Sequence, residues 1–173
     1  MCMKNVEIRE IEARDYAEVL RINESVVDTM SPMDSIRLGE LLSYCSYAKV
    51  ALVDGKIAKF ILAMKEGGRY QNENYTWFSE RYETFLYVDR VAVSPEYIGQ
   101  GVVPVLYRNL LEYARANSTA NIVFEINIIP LNEQSVAFHK NSDLPKLANR
   151  KSQAEKQFQC KHANWITAIY KPV

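Results

Sequence analysis

The chain has 173 residues, 48% of them hydrophobic and 24% charged, and its 21 Lys+Arg balance 21 Asp+Glu. That length supplies one domain with a substantial core, and a net charge of zero argues against a general nucleic-acid binder, which needs a basic footprint. No apolar run reaches the length of a membrane span, Met1-Cys2-Met3-Lys4 opens no signal-peptide core, and Cys2, Cys45 and Cys160 are too scattered for a disulfide frame or a metal site; together these point to a cytoplasmic protein with reduced thiols.

Val6 to Ile11 alternates apolar and charged residues, as a first strand does. Asp15, with Glu18 three residues on, reads as the cap of a helix that buries Tyr16, Val19, Leu20 and Val27. Ser31-Pro32-Met33-Asp34 has the cap, proline and acid of a second helix start, and Leu38, Leu41, Leu42 and Cys45 give that helix its apolar face. Asp54-Gly55-Lys56 lies between the apolar runs Lys49 to Val53 and Ile57 to Met64, a strong hairpin signal. Lys65 to Arg81 sets Tyr70, Tyr75, Trp77 and Phe78 among Gly, Asn and Glu. It reads as an irregular excursion whose rings cover the edge of the core, or as a flap over a pocket.

Phe85 to Val93 is β-branched and aromatic, and Ser94-Pro95-Glu96 stops it. Gly99-Gln100-Gly101 then permits backbone angles with φ > 0. From Val103 the apolar positions Leu106, Tyr107, Leu110, Leu111 and Ala114 follow helical spacing, and Pro104 is tolerated in the first turn. The free amides of such a helix start attract phosphate. A Gly-x-Gly alone is a weak signal. No Gly-Lys-Ser/Thr follows for a P-loop, and the third glycine of a dinucleotide fingerprint is missing. Asn121 to Ile128 reads as a strand ended by Pro130, Asn132 to Lys140 as a short helix capped by Asn132, and Leu144 to Ala148 and Trp165 to Tyr170 as final strands. Asn149 to His162 is polar, a solvated loop.

The stretch Val91-Ala92-Val93-Ser94-Pro95-Glu96-Tyr97-Ile98-Gly99-Gln100-Gly101-Val102-Val103 resembles the acetyl-CoA-binding motif of the GNAT N-acetyltransferases. Asn132-Glu133-Gln134-Ser135-Val136-Ala137-Phe138-His139 resembles that family's second motif, with His139 at the place of a tyrosine. The chain looks closest to small, uncharacterised bacterial-type members. The resemblance implies an α/β fold with a mixed, mostly antiparallel central sheet, a splayed parallel strand pair and about four flanking helices. It implies acetyl-CoA as co-substrate, held by Val91, Ala92, Val93, Gly99, Gln100, Gly101, Val102 and Val103, with Asn132 and Ser135 on the pantetheine arm. The acceptor it implies is a small-molecule or peptide amine, bordered by the two helices after the first strand, and it allows a homodimer. Backbone N–H near Val91 to Val93 would stabilise the oxyanion, and His139 would protonate the thiolate. Asp89 or Glu125 would take the amine proton, with Asp89 placed in the site. Ile98, Val103 and Pro104 depart from the family pattern, and weaker CoA binding is expected from them.

Three activities fit these residues: acetyl transfer to an amine in a ternary complex, a non-catalytic acyl-CoA-binding or sensor module, and a dimeric interaction domain without CoA. Calorimetry with acetyl-CoA separates the third from the others, and thiol release with amines separates the first from the second.

Overall fold

The computed structural model describes residues 5–28, 30–127 and 165–170, with side chains through residue 125 and backbone alone for 126–127 and 165–170. In chain order these form β1 (Val6–Glu10), α1 (Tyr16–Glu24), α2 (Ser35–Tyr44), β2 (Tyr47–Val53), β3 (Lys56–Lys65), α3 (Glu73–Ser79), β4 (Leu86–Val93), α4 (Val102–Ala116), β5 (Ile122–Asn127) and β6 (Trp165–Tyr170). The expected helix at Asn132 to Lys140, the strand at Leu144 to Ala148 and the loop from Asn149 to His162 lie outside the described residues.

The strands form one six-stranded sheet in sequential order. Every pair is antiparallel except β4 and β5, which run parallel around the α4 crossover. The β2–β3 hairpin turns on Asp54 and Gly55 at φ 49° and 77°, the pair of positive angles that Asp-Gly supplies at least strain. One face of the sheet carries α1, α2 and α3 over Val50, Phe60, Leu62, Tyr87 and Val123. The other carries α4, whose Leu106, Leu110, Leu111 and Ala114 cover Ala51, Ile61, Val88 and Phe124. Each fully buried Leu or Phe contributes about 1.5–3 kcal/mol, so both layers are needed to hold the sheet.

Local chemistry moved three expected boundaries. Asp15 does not cap a helix with Glu18. A short turn at Ala13–Asp15 points its carboxylate back, where it accepts from Arg9 Nη1 at 2.6 Å, Arg9 Nη2 at 2.9 Å and the Glu12 N–H at 2.8 Å. Glu18 pairs instead with Arg21 at 2.6 Å. The second helix starts at Ser35, because Asp34 accepts the Arg37 N–H at 2.7 Å while the Ser31 carbonyl is taken by Asn23 and Arg90. The excursion after β3 contains α3, capped by the Asn72 side chain on the Asn74 and Tyr75 N–H groups. Its rings are core: Tyr70, Tyr75, Trp77 and Phe78 are all buried.

Lys59 on β3 is 0% exposed, and its Nζ has no hydrogen-bond partner among the described residues. The amine rests 4.4 Å from the centroid of the Tyr107 ring, and burial drives its pKa well below the usual lysine range. An unfolded chain therefore binds a proton there that the folded chain rejects, so the stability cost of Lys59 grows as pH falls from the ordinary lysine pKa. Lys59→Met should raise the melting temperature, and by more at pH 7 than near pH 10. An equal gain at both pH values would show that the amine is charged in the folded protein.

Candidate functional site

The turn before α4 is built by glycine. Gly99 and Gly101 sit at φ 77° and 75°, and Gly101 is the N-cap residue of α4 in the left-handed region. A Cβ added at either would meet nothing within 4 Å. The turn thus needs glycine for its backbone angles, and open space lies beside it. The first-turn amides of a helix have no intrahelical acceptor, and the helix dipole adds positive potential at the same point. Pro104 removes one donor from this set. Val102 is buried and Val103 leans on the cluster beneath α4, so both are fixed by packing. Ile98 is 48% exposed.

Midway along β4 the strand carries one extra residue. Leu62 of β3 pairs with Arg90 and Ala63 pairs with Val88, so Asp89 is bulged out of register. A bulge bends its strand and re-aims its side chains. The parallel pairing of β4 with β5 covers Leu86 to Val88 only, against Ile122 to Phe124. Among the described residues, the β5-facing edge of β4 has no strand beside it from Asp89 to Val93, and β5 pairs with β6 alone from Glu125 onward. Unpaired edges of this kind expose N–H and C=O groups that need partners, and an amide-bearing ligand can supply them.

Glu125 stands where the two strands part. Its Oε2 accepts from the Tyr87 hydroxyl at 3.1 Å and from the Asn74 amide on α3. Its Oε1 is buried without a partner among the described residues. Burial pushes the carboxyl up to about 7; the two hydrogen bonds oppose the shift and the charge of Asp89 adds to it. A carboxylate that is free on one oxygen and half ionised near neutral pH is suited to proton transfer.

Asp89 is arranged differently. Oδ1 accepts from the Tyr70 hydroxyl at 2.5 Å and Oδ2 faces Arg90 Nε at 3.3 Å. Both oxygens are engaged. The two carboxylates that the sequence offered as proton acceptors thus share one face of the sheet and differ in what holds them. Asn74 and Tyr87, which orient Glu125, had no signal in the sequence beyond their place on a helix and a strand.

Of the other expected site residues, Val91, Ala92 and Val93 line the open β4 edge, and Gly99, Gln100, Gly101, Val102 and Val103 form the turn. Gln100 is turned back, its side-chain amide donating to the Glu96 carbonyl at 2.6 Å. Asn132, Ser135 and His139 lie outside the described residues. A charged groove of about 690 Å³ opens between α1, the β2–β3 turn and Glu96-Tyr97. Its arginines Arg9, Arg14 and Arg21 are paired with Asp15, Glu12 and Glu18, so they offer no open cationic cradle to rival the α4 start. Cys45 is the described cysteine, and burial pushes its thiol up to about 12, far from the thiolate a nucleophile needs.

The sequence profile of the Acetyltransferase (GNAT) family matches residues 6–142. No curated protein sequence matches the chain. Among solved structures, Ard1 from Thermoplasma volcanium is 17% identical over 97% of this chain and 98% of its own, with a TM-score of 0.69. NAA60 of Arabidopsis thaliana, in complex with acetyl-CoA, is 14% identical over 96% of this chain and 99% of its own, with a TM-score of 0.66. An N-acetyltransferase from Staphylococcus aureus Mu50 is 15% identical over 98% and 99%, with a TM-score of 0.64. At these identities the likeness is one of fold.

Removing a hydrogen bond to an ionised carboxylate disfavours the ionised form. Asn74→Ala and Tyr87→Phe should therefore each raise the Glu125 pKa above the parent's value of about 7. A carboxyl ¹³C NMR titration reads this directly. A lower or unmoved pKa in both variants would mean that these groups do not hold Glu125.

Proposed function

The chain belongs to the GNAT acetyltransferase family, and from that membership we propose that it is a single-domain enzyme that moves an acetyl group from acetyl-CoA to a primary amine, by direct transfer in a ternary complex. The acceptor is a small-molecule or peptide amine. The observation that carries the chemical part of this reading is Glu125: a buried carboxyl with one unpartnered oxygen, beside the parting of β4 and β5.

The pyrophosphate is proposed to sit on the amides from Gly99 to Val103. The pantetheine arm would pair with the open β4 edge, and the N–H groups of Val91 to Val93 would meet the carbonyl oxygen that becomes negative in the transition state. Glu125 takes a proton from the substrate ammonium and frees the lone pair that attacks the thioester carbon. A C–N bond forms, the C–S bond breaks, and the nitrogen's second proton leaves to solvent. His139 is proposed to give the departing thiolate its proton. The high pKa of Cys45 supports direct transfer over an acyl-enzyme on that residue. Asp89 is the poorer candidate for this step, since Tyr70 and Arg90 already face its oxygens.

The turn can be tested by charge at constant backbone strain. Asn and Asp both tolerate the left-handed region better than other side chains, and open space surrounds the Cβ position of Gly101. Gly101→Asn should weaken acetyl-CoA binding modestly, whereas Gly101→Asp, placing a like charge near the phosphates, should weaken it by a further factor of roughly ten or more. Calorimetry on both variants decides it. Equal affinities would put the phosphates elsewhere.

The chemistry is tested by thiol release from acetyl-CoA with putrescine, ethanolamine and a peptide bearing a free α-amine. Turnover should rise with pH as Glu125 ionises near its pKa of about 7 and fall on the alkaline side as His139 loses its proton. Glu125→Gln should lower kcat by ~10²-fold or more and remove the acid limb, while His139→Tyr should carry the alkaline limb upward. Full activity with an unchanged profile in Glu125→Gln would rule out this base. Tight acetyl-CoA binding with no thiol release from any amine would favour the binding-module reading, to which Ile98, Val103 and Pro104 lend support.

A further inference from the structure

Asp89 and Arg90 are neighbours in sequence, yet both reach the same face of β4, which the bulge at Asp89 permits. Their contacts tie three pieces of chain to one spot. Arg90 Nη1 donates to Asn23 Oδ1 on α1 at 2.9 Å and to the Ser31 carbonyl at 2.7 Å, in the stretch between α1 and α2. Asn23 Nδ2 donates to the same carbonyl at 3.2 Å. Arg90 Nε faces Asp89, and Asp89 in turn accepts from Tyr70, in the stretch between β3 and α3. Asn23 is 0% exposed and Arg90 7%. A guanidinium so deeply buried is tolerable only with its partners in place. Arg90 holds α1 and the α1–α2 stretch directly, while its Nε, which makes no hydrogen bond among the described residues, meets Asp89 as an ion pair and reaches the Tyr70 stretch through it.

The place of this knot matters. It lies at the residue where β4 leaves β5, on the sheet face that carries α1, α2 and α3. Glu125 opens from the same face, with Asn74 of α3 and Tyr87 on it. The helix α4 and its glycine turn occupy the opposite face and the far end of β4. An amine that gives its proton to Glu125 must come within hydrogen-bond reach of it. It therefore arrives beside α3 and Tyr87, whose ring lies 6.3 Å from that of Tyr70, on the face that Asp89 and Arg90 share.

We propose that Arg90 is a positioning residue that fixes the α1–α2 stretch and Tyr70 against β4, and so shapes the wall that receives the amine. The proposal rests on the reading of the β4–β5 parting as the acetyl-transfer site. Asp89 serves the same purpose by holding Arg90 and Tyr70, and does not itself move a proton. The wall is preformed, so loosening it weakens amine binding and leaves acetyl-CoA binding alone. Lysine at position 90 keeps the charge beside Asp89 but lacks the planar fork, and it should restore only part of the hold.

The test uses the full chain with CoA bound and reads backbone hydrogen–deuterium exchange in the stretch between α1 and α2. Exchange there should quicken at least tenfold in Arg90→Met and by less in Arg90→Lys, the loss of one or two charge-assisted hydrogen bonds. Tyr70→Phe, which keeps the ring and deletes one hydroxyl, should change KM for putrescine or for a free-α-amine peptide more than kcat. Across the set, KM for the amine should rise roughly tenfold while the acetyl-CoA dissociation constant stays within about twofold. Parent-like exchange in both Arg90 variants overturns the proposal, and so does a loss of acetyl-CoA affinity as large as the rise in amine KM. If Arg90→Met does not fold, Arg90→Lys and Tyr70→Phe carry the test. If the parent turns over no amine, the transfer reading fails, and the exchange result still decides whether Arg90 holds the wall.

Discussion

One extra residue in β4 marks where that strand parts from β5. Pairing with β5 stops at Val88, Asp89 is bulged out, and among the described residues the strand runs on to Val93 along β3 alone. The shared face of Asp89 and Arg90 follows from that one break in register, and the open edge of β4 begins at the same residue. A regular strand would have sent Asp89 and Arg90 to opposite faces. The rest of the fold makes the break tolerable. The β2–β3–β4 ladder holds one side of β4 continuously, and the two helical layers press the sheet from both faces.

The same face hosts two carboxylates that their surroundings push apart in role. Asp89 meets a guanidinium and a tyrosine hydroxyl, which consume both oxygens. Among the described residues, Glu125 meets only neutral donors, on one oxygen, in a buried position. Desolvation without a cation raises an acid's pKa, and the nearby charge of Asp89 adds to it. One carboxylate is held on both oxygens, and the other keeps one oxygen free with its pKa raised to about 7. The helix α4 packs on the other face of the sheet, so the proposed phosphate seat and the proposed base belong to different layers.

Much of the fold was legible in the residues because its signals are local. Asp54-Gly55 demands positive φ at two successive positions, and the apolar spacing from Leu106 to Ala114 is unambiguous. The turn at Gly99 to Gly101 could be placed for the same reason. Less local features did not show. The helix α3 was hidden because Asn, Glu and Ser interrupt its apolar period, although Asn72 is a good cap. The start of α2 differs from the expectation because Ser31 looks like a cap, and only the more distant Asn23 and Arg90 give its carbonyl another use. The bulge at Asp89 has no glycine or proline to announce it. Without the bulge, nothing in the sequence ranks Glu125 above Asp89, since the ranking comes from partners contributed by α3, by β4 and by the stretch that carries Tyr70. The second motif, with Asn132, Ser135 and His139, stands on sequence resemblance alone.

The central claim is that the β4 edge beyond the bulge and the amides before α4 form one continuous seat for acetyl-CoA. Backbone-amide NMR of the full chain, titrated with acetyl-CoA, tests it most directly. The account predicts the largest shifts at Val91 to Val93 and at Gly99 to Val103, appearing together at one dissociation constant, with small changes along β1 and β2. Large shifts confined to the groove between α1 and the β2–β3 turn, with Val91 to Val93 unmoved at saturation, would contradict it.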